Sequence, residues 1–285
     1  MSLISRLKSR YEDLQKITKV FMQQPQLSFK RLTKLHATLR GFNYSQEWQP
    51  SSVANRQPSF SGLPAVSQPS NPLKSYINSH KEGKGILKWG HYFDIYHRHF
   101  KKFVGREVHI LEIGVFSGGS LEMWRDYFGS KCRIYGVDIQ EECKMYENEY
   151  ADIFIGDQAD RKFWKLFKDK VPVVDILIDD GGHQAEQQIV TLEEMLPHLS
   201  PGGVYFCEDI HGSYNDFASY LHGLINSLND MIQLSESGIS PTQFQSWIKS
   251  MHFYPYVTVI EKAERPEEKI AATGHGTEWQ PFLKF

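Results

Sequence analysis

The chain has 285 residues, 40% hydrophobic and 23% charged, with a formal net charge of -2, a profile that excludes a disordered or nucleic-acid-coating chain. Cys132, Cys143 and Cys207 are too scattered for a disulfide framework, and no CxxC pair marks a zinc site. No apolar run approaches the roughly 18 residues of a membrane span and the N-terminus lacks the apolar core of a secretory signal, so a cytoplasmic location is expected.

Residues 1–40 hold nine Lys or Arg against Glu12 and Asp13, which leaves the rest of the chain acidic. Within them Ile4, Leu7, Tyr11, Leu14, Ile17 and Phe21 recur at threes and fours, predicting a basic amphipathic helical extension. Its apolar face needs cover, from the main domain or from a second subunit of a homo-oligomer. Adsorption to an anionic membrane surface is the alternative, without stable insertion. Residues 41–72 shift to Ser, Gln and Asn, with Pro50, Pro58, Pro64, Pro69 and Pro72, and read as a linker or wrapping arm.

Residues 73–285 form the expected main domain. "VHILEIGV", "CRIYGVDI", "ADIFIGD", "VDILIDD" and "GVYFCED" are short apolar runs ending in Gly or an acid. Helix-compatible stretches such as "SLEMWRDYF" and "RKFWKLFKD" separate them. Strand and helix in alternation predict an α/β fold, a Rossmann-like and mostly parallel sheet with helices on both faces. The tail "MHFYPYVTVIEKA" predicts an antiparallel closing pair joined at Pro255. Ligands of such sheets bind beyond the carboxyl ends of the strands, where each run places its acid or glycine.

The first run continues as "EIGVFSGGS", Glu112 to Ser120. A dinucleotide fingerprint needs a glycine where this chain has Phe116, so a pyrophosphate is disfavoured. An acid before the first glycine suits a ligand carrying positive charge, and Asp138, 26 positions after Glu112, suits ribose hydroxyls. With "GVDI" and "GDQ", this loop resembles the class I S-adenosylmethionine-dependent methyltransferases over about residues 84 to 262. The resemblance implies that Glu112 and Gly114, with Ser117 in the same loop, meet the methionine moiety. It implies Asp138 at the ribose, Asp157 and Gln158 at the adenine, and Asp180 at the cofactor's edge of the site.

Asp180 closes the fourth run, His183 follows, and the fifth ends in Glu208 and Asp209. Carboxylates crowded at one sheet edge call for a hard divalent cation, and oxygen donors favour Mg²⁺, Mn²⁺ or Ca²⁺ over zinc. Strand alternation sends only one of Asp179 and Asp180 toward the site; the other is expected to cap the following turn. His211 is read as a hydrogen-bonded loop histidine, with a ligand or substrate contact as its alternative. "DILIDDGGH" and "GGVYFCEDIHGSY" resemble the metal-dependent O-methyltransferases that modify sugars on macrolides such as mycinamicin. That likeness implies Asp180, Glu208 and Asp209 as ligands of Mg²⁺ (or Mn²⁺), and His183 as the general base.

Upstream, "GILKWGHYFDIY" supplies Lys88, Trp89, His91, Tyr92 and Tyr96. By the same likeness Lys88 and His91 line the cofactor site; the bland reading is a helix packing its aromatics into the core. The functional expectation is O-methyl transfer to a hydroxyl of a small secondary metabolite, glycosylated ones included, without nucleic acid as partner because the main domain is acidic. Two rivals stay open: a metal-dependent hydroxylase or hydrolase using Asp180, His183 and Asp209, and a non-catalytic binding protein of the same fold.

Overall fold

The computed structural model describes residues 38–46, 71–212, 215–230, 234–235, 238–271 and 273–275. Backbone contacts divide the chain into two units, 1–66 and 67–285. Of the first, only a helix over 38–46 is described, with Leu39 and Tyr44 exposed. It crosses residue 40, where the sequence predicts the linker to begin. The amphipathic face from Ile4 to Phe21 lies outside the described residues, as does most of the predicted linker.

In the second unit the strands are β1 (Val108–Ile113), β2 (Cys132–Asp138), β3 (Ala151–Ile155), β4 (Val174–Asp179), β5 (Leu199–Cys207), β6 (Leu234–Ser235), β7 (Gly238–Ile239), β8 (Ile248–Tyr254) and β9 (Val257–Lys262). The helices are α1 (Pro72–Ser79), α2 (Tyr92–Phe100), α3 (Gly119–Phe128), α4 (Arg161–Lys168), α5 (Ala185–Met195), α6 (Asp216–Leu228) and α7 (Gln243–Trp247). Local chemistry sets several starts. Asn71 accepts from the Leu73 N–H at 3.0 Å ahead of Pro72, and Asp160 caps α4 through the Lys162 N–H at 2.8 Å.

Seven strands form one sheet in the order β3-β2-β1-β4-β5-β9-β8, with β6 and β7 as a separate two-stranded ladder. β1 to β5 are parallel; β9 runs antiparallel to β5 and to β8, the closing pair expected from the tail. The sheet's two faces carry separate cores. Ile110, Ile176, Val204, Phe206 and Val259 meet Tyr92, Tyr96, Phe100, Trp124 and Phe128 from α2 and α3 on one side. Leu111, Leu177 and Tyr205 meet Trp164, Phe167, Leu192, Phe217 and Leu221 from α4, α5 and α6 on the other. Both faces are covered, which is why the strands read as unbroken apolar runs. The order reverses between β1 and β4, opening a crevice beyond their carboxyl ends.

The three cysteines are buried and unpaired. Among the described residues, no helix is long and apolar enough to cross a membrane.

Candidate active site

A cavity of about 610 Å³ fills that crevice. Its floor is the β1–α3 loop. Gly114 has φ +90°, and a Cβ there would stand 2.0 Å from the Asp180 carbonyl oxygen, so only glycine lets the ends of β1 and β4 meet. Phe116 follows with φ 49° and its ring exposed at the rim. Its N–H donates to Asp138 Oδ2 at 3.0 Å, while the Gln140 N–H donates to Oδ1 at 2.9 Å. Asp138 is thus aimed by two backbone donors. Asp157 is held the same way by the Ala159 N–H at 2.8 Å. Gly114, Ser117, Asp138, Asp157 and Asp180 all line the cavity.

Two residues expected at the cofactor, Glu112 and His91, lie outside the cavity lining, and a third, Gln158, lines it with its amide engaged elsewhere. Glu112 is wholly buried. Its position next to last in β1 turns it onto the sheet face beneath α3, where Ser120 Oγ and Trp124 Nε1 donate to it at 2.8 and 3.0 Å. Gln158 borders the cavity, but its amide donates to Asp179 at 2.9 Å and accepts from the Gly182 N–H at 2.8 Å. His91 precedes α2, and its Nε2 pairs with the Pro255 carbonyl at 3.0 Å, outside the cavity lining.

The opposite wall carries the acids. Lys88 is buried among three of them, with Nζ 2.5 Å from Asp180, 3.1 Å from Glu208 and 3.9 Å from Glu112. Burial alone would lower its pKa; the carboxylates at Glu208, Asp180 and Glu112 outweigh it and raise the pKa, so the ammonium persists. Burial pushes Glu112 up, and Glu208 well up, against the pull of that same ammonium. One ammonium cannot satisfy three carboxylates. α2 adds neutral donors one turn apart: Tyr92 Oη donates to Asp209 at 2.7 Å, and Tyr96 Oη to Glu208. Trp89 Nε1 donates to Asp209 at 3.1 Å.

Asp179 and Asp180 part to opposite faces as strand alternation requires. Asp179 is buried against Gln158 and Tyr205, reaches the Gly181 N–H at 3.4 Å, and is pushed up to about 6, chiefly by burial. Asp180 joins Asp209 and His183, whose ligand atoms lie within 4.8 Å of one another. His183 Nε2 stands 3.6 Å from Asp209 Oδ2, and its Nδ1 is buried without a hydrogen-bond partner. His183 and Asp209 both hold left-handed backbones, φ 56° and 54°, costly geometry that accumulates where function requires it. His211 Nε2 lies 3.5 Å from Asp209 Oδ1, with its ring edge-on to Tyr256.

A divalent cation fits this donor set. Asp180 and Asp209 converge, the buried acids outnumber the ammonium beside them, and an imidazole nitrogen nearby lacks a partner. Glu208, the third expected ligand, stands outside the Asp180–His183–Asp209 cluster, wholly buried with Lys88 donating to both of its oxygens and Tyr96 to one. Tyr92, Tyr96 and Trp89 are the site residues whose role the sequence reading misses. The available signal was Tyr92 and Tyr96 at a step of four, one helical face, just after Lys88 and Trp89.

Residues 111–210 match a family model described as a methyltransferase domain. The chain is 31% identical over 213 residues to the 8-demethyl-8-alpha-L-rhamnosyl tetracenomycin-C 2'-O-methyltransferase of Streptomyces olivaceus, a match covering 67% of this chain and 54% of that one. It is 33% identical over 209 residues to the demethylmacrocin O-methyltransferase of Streptomyces fradiae, covering 64% and 52%. The solved structure of the MycE methyltransferase of the mycinamycin biosynthetic pathway, in complex with Mg, SAH and mycinamycin VI, superposes with a TM-score of 0.57 at 29% identity. That likeness covers 70% of this chain and 54% of MycE. The chain spans about half the length of the curated relatives it matches.

Sheet order, glycine loop and strand-end acids together are those of the class I S-adenosylmethionine-dependent methyltransferases. Within that class the chain is similar to O-methyltransferases named for a rhamnosyl tetracenomycin and for demethylmacrocin, and to a mycinamycin-pathway methyltransferase solved with Mg and SAH.

Proposed function

We propose that this chain is an S-adenosylmethionine- and Mg²⁺-dependent O-methyltransferase acting on a sugar hydroxyl of a small glycosylated metabolite. The observation that carries the reading is one cavity lined at one end by Gly114, Asp138 and Asp157 and at the other by Asp180, His183 and Asp209. A hydrolase using the second group alone would have no need of the first. Relatives named for methylation of a rhamnosyl tetracenomycin and of demethylmacrocin support a deoxysugar acceptor.

When bound, S-adenosylmethionine supplies an electrophilic methyl group and Mg²⁺ lowers the pKa of an acceptor hydroxyl. Asp138 would hold the ribose diol with the side-chain oxygens that the Phe116 and Gln140 N–H groups align. Asp180 and Asp209 would hold the cation, with water and substrate oxygens completing its shell. His183 accepts the acceptor's proton at Nε2, the ring nitrogen nearer Asp209, whose carboxylate stabilises the imidazolium. Phe116, Leu87 and Trp89 at the rim shield the transfer from water. Alignment of donor and acceptor in one cavity supplies much of the rate.

The test is methyl transfer from labelled S-adenosylmethionine to a panel of deoxysugar glycosides, with and without a chelator, in the parent and in His183→Ala. We expect product only with Mg²⁺, and a turnover lowered by about 10² to 10⁴ in the variant with cofactor binding intact. Full transfer after exhaustive chelation, or an undiminished His183→Ala, overturns the reading.

A further inference from the structure

At the far end of α2 from the cavity, a second set of side chains converges. His99 lies seven residues after Tyr92, on the same helical face. On the closing hairpin, Ser250, His252 and Tyr254 alternate along β8, and Ser250 pairs with Glu261 of β9. His99 Nδ1 is 2.8 Å from Glu261 Oε1, and its Nε2 is 2.9 Å from Tyr254 Oη. The His252 ring stands 4.7 Å from the His99 ring, with its Nε2 3.0 Å from Ser250 Oγ. One ligand atom each from His99, His252 and Glu261 lie within 4.8 Å of one another.

We infer that His99, His252 and Glu261 form a binding site for a divalent transition-metal ion of the zinc type, separate from the catalytic cavity. Two imidazoles and one carboxylate, contributed by a helix and two strands, form a donor set that selects such ions over Mg²⁺. Ser250 Oγ links His252 Nε2 to Glu261 Oε2, at 3.0 and 3.4 Å, so that both imidazoles are gathered around the one carboxylate. Tyr254 Oη waits at the other ring nitrogen of His99 as the outer partner that orients a ligating imidazole. Arg98 and Lys102 add positive charge close by, which disfavours an ion held by charge alone and leaves imidazole coordination as the source of affinity. An ion here ties the last turn of α2 to the β8–β9 hairpin. It would thereby steady the helix whose Tyr92 and Tyr96 hold Asp209 and Glu208. The site does not depend on the methyltransferase reading.

Metal-free protein titrated with Co²⁺ and melted with and without Zn²⁺ tests this in the parent, in an Asp180→Asn/Asp209→Asn double variant that removes the catalytic carboxylates, and in that double variant with His252→Ala added. We expect one equivalent of tetrahedral cobalt absorption and a zinc-induced rise in melting temperature in the first two proteins, and neither in the third. Glu261→Gln keeps the side chain's shape and loses its charge, so its cobalt affinity should fall by about tenfold or more with little change in the metal-free melting curve. A cobalt band that survives the added His252→Ala, that vanishes in the double variant, or that never forms in the parent overturns the inference.

Discussion

The two ends of the cavity are built by different means. At the cofactor end, Asp138 and Asp157 take their hydrogen bonds from backbone N–H groups, two of the three from residues two positions on and the third from Phe116 in the β1–α3 loop. At the acid end, Asp180, Glu208 and Asp209 take theirs from Lys88, Trp89, Tyr92 and Tyr96, side chains 92 to 120 positions away. A local turn can therefore shape the first end, whereas the second exists only once α2 has docked. Substitutions in the two ends should fail in different ways.

The largest effect is expected from Lys88→Met. It removes the ammonium shared by Glu112, Asp180 and Glu208, and breaking a buried ion pair from one side costs about 3–5 kcal/mol. Denaturant unfolding measures it. The deficit should narrow on acidification, because Glu112 and Glu208 have folded pKa values raised by burial and lose their need of a counter-ion as they protonate. An equally stable Lys88→Met would mean that α2 docks without the ion pair and that the contrast between the two ends is false.

The same contrast explains what could be read from the sequence. Five apolar runs ending in acid or glycine give the parallel sheet and its binding edge, because strand alternation and the switch-point crevice follow from local pattern. The closing hairpin about Pro255 was legible for the same reason. Asp138 and Asp157 could be assigned to the cavity because one ends β2 and the other follows β3 by two residues. Glu112 looked equivalent, yet one residue of pleat turns it beneath α3 to Ser120 and Trp124. Glu208 looked like a free ligand because nothing near it in sequence announces Lys88 or Tyr96. The alternative of a helix packing its aromatics into the core describes Tyr92 and Tyr96, both fully buried, but could not show that each carries its hydroxyl to a carboxylate.

A smaller effect separates Glu112 from Asp138. Asp138→Ala should weaken binding of S-adenosylhomocysteine by about 1–3 kcal/mol, the range for a hydrogen bond to a charged group, with little change in stability. Glu112→Gln should do the reverse, lowering stability by a similar amount while leaving the calorimetric affinity near that of the parent. Should Glu112→Gln weaken the cofactor as much as Asp138→Ala does, the side chain beneath α3 is felt in the cavity after all.

The smallest expected change is Tyr92→Phe, and its sign is the informative part. Tyr92 Oη donates to Asp209 Oδ1 at 2.7 Å, while Trp89 Nε1 reaches the same oxygen at 3.1 Å. Removing one of two donors should cost about 1 kcal/mol of folding stability, since the other remains and the carboxylate keeps a partner. The donor also competes with a cation for that oxygen. Its loss leaves Asp209 more electron-rich, so Mg²⁺ should bind more tightly in Tyr92→Phe, by about fivefold if the whole kcal/mol is transferred. A titration of Mg²⁺ monitored by calorimetry, set beside an unfolding curve, reads both signs in one variant. Stability and Mg²⁺ affinity falling together would show that Tyr92 positions Asp209 for the ion and does not compete with it.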